Sequence, residues 1–315
     1  MLPPVLLFGQ KSPMSVSVVI PVRNGEAFIG EAINSVLAQG PLAGEVIVVD
    51  DGSTDGTAEV VQAITDPRVT LLTRLAGRKG VSAVRNFGLS KASGEWTMFL
   101  DADDRLREGA FATLLTGADG ADDVAIYGDY ERINEQGEKI GRRNLIRKRS
   151  KPSGHIQENL VGGNFIVNGG IMLVKTAVFR AVGGFDETLR YGEDWHGWCL
   201  LAARGPFRYV EGAHVLDYRV HTSSVMMSKT LEFADCIPVI DAIFNDPSIL
   251  AGLPSERVKA LRQKAEGHMN AYTIAQDIRA QRYGKAFMAL SDTLIHRPRQ
   301  AKRALLFSAA ALAGL

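Results

Sequence analysis

Residues 16–57 read VSVVIPVRNGEAFIGEAINSVLAQGPLAGEVIVVDDGSTDGT, and this stretch decides the fold. Val16–Ile20 and Glu45–Asp50 are short runs rich in β-branched residues, the pattern of strands buried on both faces. Between them Phe28, Ile29, Ala32, Ile33, Val36 and Leu37 recur at helical spacing, until Gly40-Pro41 stops the segment. A strand, an amphipathic helix and a second strand make the repeating unit of a parallel sheet covered by helices.

The alternation continues outward. Val69–Leu72, Trp96–Leu100 and Val124–Tyr127 read as further strands, with a helix over Val81–Ala92. The expected class is therefore α/β, a mostly parallel sheet flanked by helices on both faces, spanning residues 15–225. Residues 1–14 form an N-terminal extension with three prolines and no periodicity. From about Met226 long helical patterns replace the strands, so residues 226–315 read as an α-helical C-terminal region.

Composition narrows the function classes. The 315 residues are 46% hydrophobic and 23% charged, with 36 Lys+Arg against 35 Asp+Glu. Near-zero net charge gives nucleic acid no long-range attraction, so no nucleic-acid partner is expected. Cys199 and Cys236 are too few for a disulfide framework and show no metal-ligand spacing. Together with the lack of any Asn-x-Ser/Thr acceptor, this predicts a cytoplasmic setting. Val5–Phe8 is too short for a signal-peptide core, and Ala304–Leu315 covers roughly half the ~20 residues of a membrane span. That basic C-terminal end carries Arg282, Lys285, Arg297, Arg299, Lys302 and Arg303 against Asp292 alone, which fits packing on the catalytic domain, a dimer interface or a peripheral contact with the inner face of a membrane.

Ligands of open α/β sheets sit outside the carboxyl ends of the strands. No G-x-G-x-x-G or P-loop stands at those ends here; they carry Pro21-Val22-Arg23-Asn24, Asp50-Asp51-Gly52-Ser53 and Asp101-Ala102-Asp103-Asp104. Asp101 and Asp103, one residue apart at a strand end, can share a hard divalent cation such as Mg²⁺ or Mn²⁺. The plainer alternative makes Asp103 and Asp104 the cap of a helix over Glu108–Leu115. The Asp50–Thr57 run has turn and N-cap chemistry, yet Asp51 there can also accept from a nucleobase N–H. Glu193 and Asp194 either start a helix or supply a general base, with Trp195 and Trp198 as stacking platforms for a sugar. His221 is a candidate ligand or a structural imidazole. The seven basic residues between Lys139 and Lys151 make a solvated loop or an anion-binding one.

Taken in order, VSVVIPVRNG, VDDGSTDGT, FLDADD and GGFDETLRYGEDW resemble the motifs of the family-2 glycosyltransferases of the GT-A fold. RKGVSAVRNFGL is similar to that family's connecting helix, and the resemblance covers roughly residues 15–225. It implies a GT-A nucleotide-binding sheet and an inverting, single-addition transfer from a nucleotide-diphosphate sugar to an acceptor hydroxyl in cell-surface glycan synthesis. UDP is the commonest donor nucleotide of that family. On this resemblance Pro21, Val22, Arg23, Asn24 and Asp51 hold the nucleoside, with Asp51 facing the base. Arg78 and Arg85 approach the diphosphate or ribose, beside Asp101 and Ala102. Asp103, ahead of Asp101, ligates Mg²⁺ or Mn²⁺, and His221 completes the metal shell in some members. Asp194, next to Glu193, is the catalytic base, and the acceptor is a glycan or lipid-linked hydroxyl. Arg23 stands where many members have tyrosine, and the Q-x-x-R-W motif of processive members is absent. Two other classes fit less well. A sugar-nucleotide-forming nucleotidyltransferase needs a Gly-rich triphosphate loop after the first strand, and a non-catalytic sugar-nucleotide-binding module does not need both Asp103 and Asp194.

Overall fold

The computed structural model describes residues 15–74, 80–118, 122–140, 151–166, 168–221 and 231–313. Strands β1 (Val16–Val22), β2 (Ala43–Asp50), β3 (Val69–Thr73) and β4 (Trp96–Phe99) alternate with helices α1 (Ile29–Leu37), α2 (Thr57–Gln62) and α3 (Val81–Lys91), as the periodicity predicts. A two-residue β5 (Arg105–Leu106) and α4 (Ala110–Leu115) lead to β6 (Ala125–Ile133). Then come α5 (Gln157–Val161), β7 (Met172–Lys175), α6 (Thr176–Ala181), α7 (Glu193–Ala202) and β8 (Phe207–Arg219). Four helices follow: α8 (Phe233–Asn245), α9 (Ser255–Arg279), α10 (Tyr283–His296) and α11 (Pro298–Leu312).

The strands form one sheet in the order β3-β2-β1-β4-β7-β6-β8-β5. Pairing is parallel from β3 through β2 and β1 to β4, then antiparallel at β4/β7, β7/β6 and β8/β5. β7 and the long β8 carried no strong alternation, which is why the sequence did not announce this antiparallel half.

β1 is central because it can be buried on both faces: Val16, Val18, Val19 and Ile20 are fully covered. Each such aliphatic side chain contributes about 2 kcal/mol of transfer free energy. Its one polar residue, Ser17, gives its hydroxyl hydrogen to Glu45 Oε1 at 2.6 Å and accepts from Gly94 N–H at 2.7 Å, so nothing polar is stranded. α3 lies close on β1 because residue 88 is glycine; a Cβ there would stand 2.3 Å from Val19 Cγ1.

Contacts divide the chain into two compact units. The first holds residues up to 130, 168–185 and 208–218; the second holds 131–167, 186–207 and 219–315. The second is built largely of helices. In it Ala271, Ile274, Ala275, Ala286, Ala304 and Ala311 of α9, α10 and α11 form a buried cluster whose small side chains let the helices approach closely. Asn270 gives its buried amide N–H to Thr293 Oγ1 at 2.8 Å, and buried Asp277 accepts from Arg282 Nε at 2.7 Å. Among the described residues no helix is long and apolar enough to cross a membrane.

Candidate active site

In the first unit, three strand ends deliver their loops side by side. Val22 is buried and its carbonyl accepts Asp51 N–H at 2.9 Å, locking the end of β1 to the end of β2. Asn24 takes a left-handed φ of 55°, which asparagine tolerates better than most residues. In that conformation its N–H meets Ser53 Oγ at 2.8 Å, and its Oδ1 accepts from Thr54 N–H at 2.8 Å. Asp50 accepts from Ser53 N–H and Oγ, and Asp55 accepts from Thr57 N–H and from Glu26 N–H. The Thr57 hydroxyl bond chiefly holds the Asp55 carboxyl below its ordinary range. Asp50 and Asp55 therefore carry out the turn chemistry read from the sequence.

Asp51 is partly exposed, with Arg74 Nη1 at 3.8 Å from its Oδ1. Arg74, just past β3, was missed; its only sequence signal is a basic residue following a short apolar run. Pro21 is partly buried and Arg23 is exposed at the rim of the same loop. Arg78 lies outside the described residues.

At the end of β4, Asp101 is held from two sides. Arg85 of α3 donates through Nη2 to Oδ1 at 2.9 Å, and Asn168 Nδ2 reaches Oδ2 at 3.2 Å. Asn168 also donates to Asp104 Oδ2 at 2.8 Å and accepts Gly170 N–H at 2.6 Å. Asp104 is buried, and α4 begins after Gly109, so neither Asp103 nor Asp104 caps that helix. Ala102 and Asp103 stay partly exposed between these anchored carboxylates. The Arg85 guanidinium, which the resemblance places near the diphosphate or ribose, lies 5.6 Å from the Phe185 ring centroid and donates here to Asp101. Asn86 fixes Phe185 in turn, donating to its carbonyl at 2.8 Å and accepting its N–H at 2.9 Å. Asn168 and Asn86 carry much of this geometry. Sequence reasoning missed both, because each acts on residues tens of positions away.

In the second unit, Glu193 and Asp194 open α7, where the helix dipole favours acids. Both are partly exposed, and Asp194 Oδ1 accepts Trp195 N–H at 2.6 Å. Burial first, and the Asp194 charge with other neighbours, push the Tyr191 hydroxyl and the Cys199 thiol up, so both stay protonated beside that carboxylate. The expectation for Trp195 and Trp198 is corrected. Each indole is 1% exposed, and Trp195 Nε1 donates to Leu160 O at 2.7 Å, so neither offers a face to a sugar. They are core residues of α7. His221 stands half-buried just beyond β8, next to Val220, whose N–H meets Ile133 O at 2.9 Å. Of the basic run 139–151, residues 141–150 lie outside the described residues.

Among the described residues no three His, Cys, Asp or Glu side chains gather into a site able to hold a metal by protein ligands alone. Asp101, whose two oxygens already accept from Arg85 and Asn168, and Asp103 are nonetheless hard oxygen donors. That suits a cation which takes one or two carboxylates and fills its remaining positions with water and phosphate oxygens.

Residues 17–183 match the family model described as glycosyl transferase family 2. The succinoglycan biosynthesis protein ExoO of Rhizobium meliloti is 29% identical over 248 residues, covering 76% of this chain and 70% of that protein. ExoU, a second succinoglycan biosynthesis protein of that organism, is 29% identical over 88% of this chain and 82% of its own length. An uncharacterized glycosyltransferase of Rickettsia conorii is 30% identical over 66% of this chain but only 34% of its own length. Among solved structures, S. aureus TarS residues 1–349 with UDP-GlcNAc superposes with a TM-score of 0.65 at 18% identity, covering 96% of this chain and 92% of that one. The Pyrobaculum calidifontis mannosyltransferase with GDP-Man and Mn²⁺ gives 0.59 at 20% identity, covering 97% and 83%. The fold is that of the GT-A enzymes.

Proposed function

The chain belongs to glycosyl transferase family 2, and on that premise we propose that it moves one sugar from a nucleotide-diphosphate donor to an acceptor hydroxyl of a cell-surface glycan or lipid-linked glycan. UDP is the proposed nucleotide; a TarS complex holding UDP-GlcNAc supports it, while the GDP-Man complex keeps GDP as the competing arm of the test. The observation that carries the proposal is the juxtaposition of the Asp51 and Asp101–Asp103 loops at the ends of strands β2 and β4 of one sheet.

Asp51, held by Arg74, accepts from the base N–H. The β1 and β2 loops, cross-linked through Asn24 and Ser53, form a preorganised nucleoside cradle. Asp103, assisted by Asp101, would hold Mg²⁺ or Mn²⁺. Bound there, the cation supplies Lewis-acid neutralisation of the departing diphosphate. Asp194 accepts the proton of the acceptor hydroxyl as that oxygen attacks the anomeric carbon from the face opposite the leaving group, which inverts the configuration. One general base is enough, because a nucleoside diphosphate leaves without being protonated, unlike a glycoside-hydrolase leaving group.

A thermal-shift panel of UDP-, GDP- and dTDP-sugars with and without Mn²⁺ tests the reading. The cognate donor at ~100 times its Kd stabilises the fold by about 2.7 kcal/mol. Stabilisation by no nucleotide sugar would overturn it. So would pyrophosphate release from an NTP and a sugar-1-phosphate.

A further inference from the structure

We propose that the outward faces of α10 and α11 form a docking surface for an anionic lipid bilayer. Among the described residues nine large apolar side chains are exposed, and eight of them lie on these two helices. Single exposed apolar residues are ordinary on a soluble surface, but a concentration of this kind marks an interaction site. On α10 the inward side is set by buried Ala286 and Thr293. The opposite side presents Tyr283, Phe287 and Leu294 along one helical row and Met288 and Ile295 along the next. Phe287 and Ile295 are each 71% exposed. No charged residue interrupts that stripe.

On α11 the inward side is Ala304, Ser308 and Ala311. The outward side changes character along its length: Arg299 and Lys302 come first, then Leu305, Leu306 and Leu312. Lys302 lies three and four residues before Leu305 and Leu306, so cation and apolar side chains share one face. Long basic side chains at the edge of an apolar stripe reach headgroup phosphates while their stems lie along the hydrocarbon boundary.

The charge balance selects the occupant. Residues 282–312 contain six Lys/Arg and one acid, Asp292, which pairs with His296 at 2.9 Å. Lys285 is paired with Glu232 at 2.8 Å and Arg282 with Asp277 at 2.7 Å, so the excess that faces solvent rests chiefly on exposed Arg299 and Lys302. A second copy docked by two-fold symmetry would set like rims of Arg299 and Lys302 near one another, an arrangement that costs free energy. A surface of lipid phosphates complements the same rims. Neither helix is long and apolar enough to span a bilayer, so the association is lateral and reversible.

The test is co-sedimentation of the full chain with vesicles of phosphatidylcholine alone and of phosphatidylcholine mixed with phosphatidylglycerol, at low and high salt. Wild type should partition onto the mixed vesicles and release in high salt. The double variant Phe287→Ser/Ile295→Ser should lose at least ~10-fold of that partitioning. Arg299→Gln/Lys302→Gln should lose ~5-fold per removed cation at low salt. All four positions are exposed, so unchanged melting temperatures are expected. Equal partitioning of wild type and either double variant would overturn the proposal, as would no binding by wild type. Self-association in sedimentation velocity that Phe287→Ser/Ile295→Ser abolishes, without vesicle binding, would assign the face to a second copy instead. Vesicle binding needs neither donor nor metal, so failure here leaves the transferase reading standing.

Discussion

The loops of the first unit and the helices of the second are held by different physics. Around Asn24, Ser53, Asp55 and Asn168, order comes from short polar contacts closed between loops that buried strands deliver to fixed places. Around Ala271, Ala275 and Ala304 it comes from small side chains that let helices touch, with Asn270–Thr293 and Asp277–Arg282 satisfying the polar groups left inside. The first arrangement fixes polar groups through directional hydrogen bonds and suits recognition of a charged nucleotide. The second fixes only helix positions and turns its large apolar residues outward. On the readings proposed above, the sheet-end loops would bind the donor and the helix bundle would attach to a surface, with Asp194 on a helix of the second unit.

That division can be broken most sharply at Asp194. Asp194→Asn is expected to lower kcat by ~10²–10⁴-fold while leaving donor Kd within a few fold, since a general base acts only in the transition state. Steady-state kinetics beside calorimetric titration decide it. A parallel loss of donor affinity would show that donor binding is not confined to the first unit.

The reciprocal effect is expected at Asp103. Asp103→Ala should remove the enhancement that Mn²⁺ gives to UDP binding, a loss on the order of 10-fold, with metal-free UDP binding unchanged. Isothermal titration with and without Mn²⁺ measures both, and a wild-type enhancement in the variant refutes the ligand role.

Asn168→Ala sharpens the comparison within the first unit. It strips a donor from Asp101 and from buried Asp104, and losing a hydrogen bond to a carboxylate costs about 1.5–3 kcal/mol. The melting temperature should fall by several degrees, and UDP affinity should fall with it because the Asp101–Asp103 loop loses its anchor. An unchanged melting temperature would show that the loop holds itself.

The smallest effect belongs to Asp66. Two hydrogen bonds from the Arg68 side chain lead the causes that hold its carboxyl at about 2. Because the folded value is depressed, the pair's stabilisation is complete above the unfolded range near 3.8 and is lost as pH falls toward about 2. An NMR titration should place Asp66 near that value in the wild type and move it up toward the ordinary carboxylate range in Arg68→Ala, which keeps only the backbone N–H bond of residue 68. Both side chains are partly exposed, so little change in melting temperature is expected at neutral pH.

The sequence by itself determined the parallel half of the sheet. β-branched runs such as Val16–Ile20 admit few structures other than a strand buried on both faces, and the helical spacing of Ile29, Ile33 and Val36 leaves one face to cover it. It also determined which strand ends are acidic, since Asp51, Asp101 and Asp103 immediately follow those runs. The tertiary structure alone decided how these acids are held. Arg74 reaches Asp51, and Arg85 and Asn168 reach Asp101, over chain separations that no local period encodes. It also decided that Trp195 and Trp198 are core and not platforms, because α7 is buried along nearly its whole length while its composition allowed either face. And it decided which side of α10 faces out: the apolar residues there surround the helix too fully for a hydrophobic stripe to point inward, so the choice fell to Ala286 and Thr293, small enough for α9 to pack against.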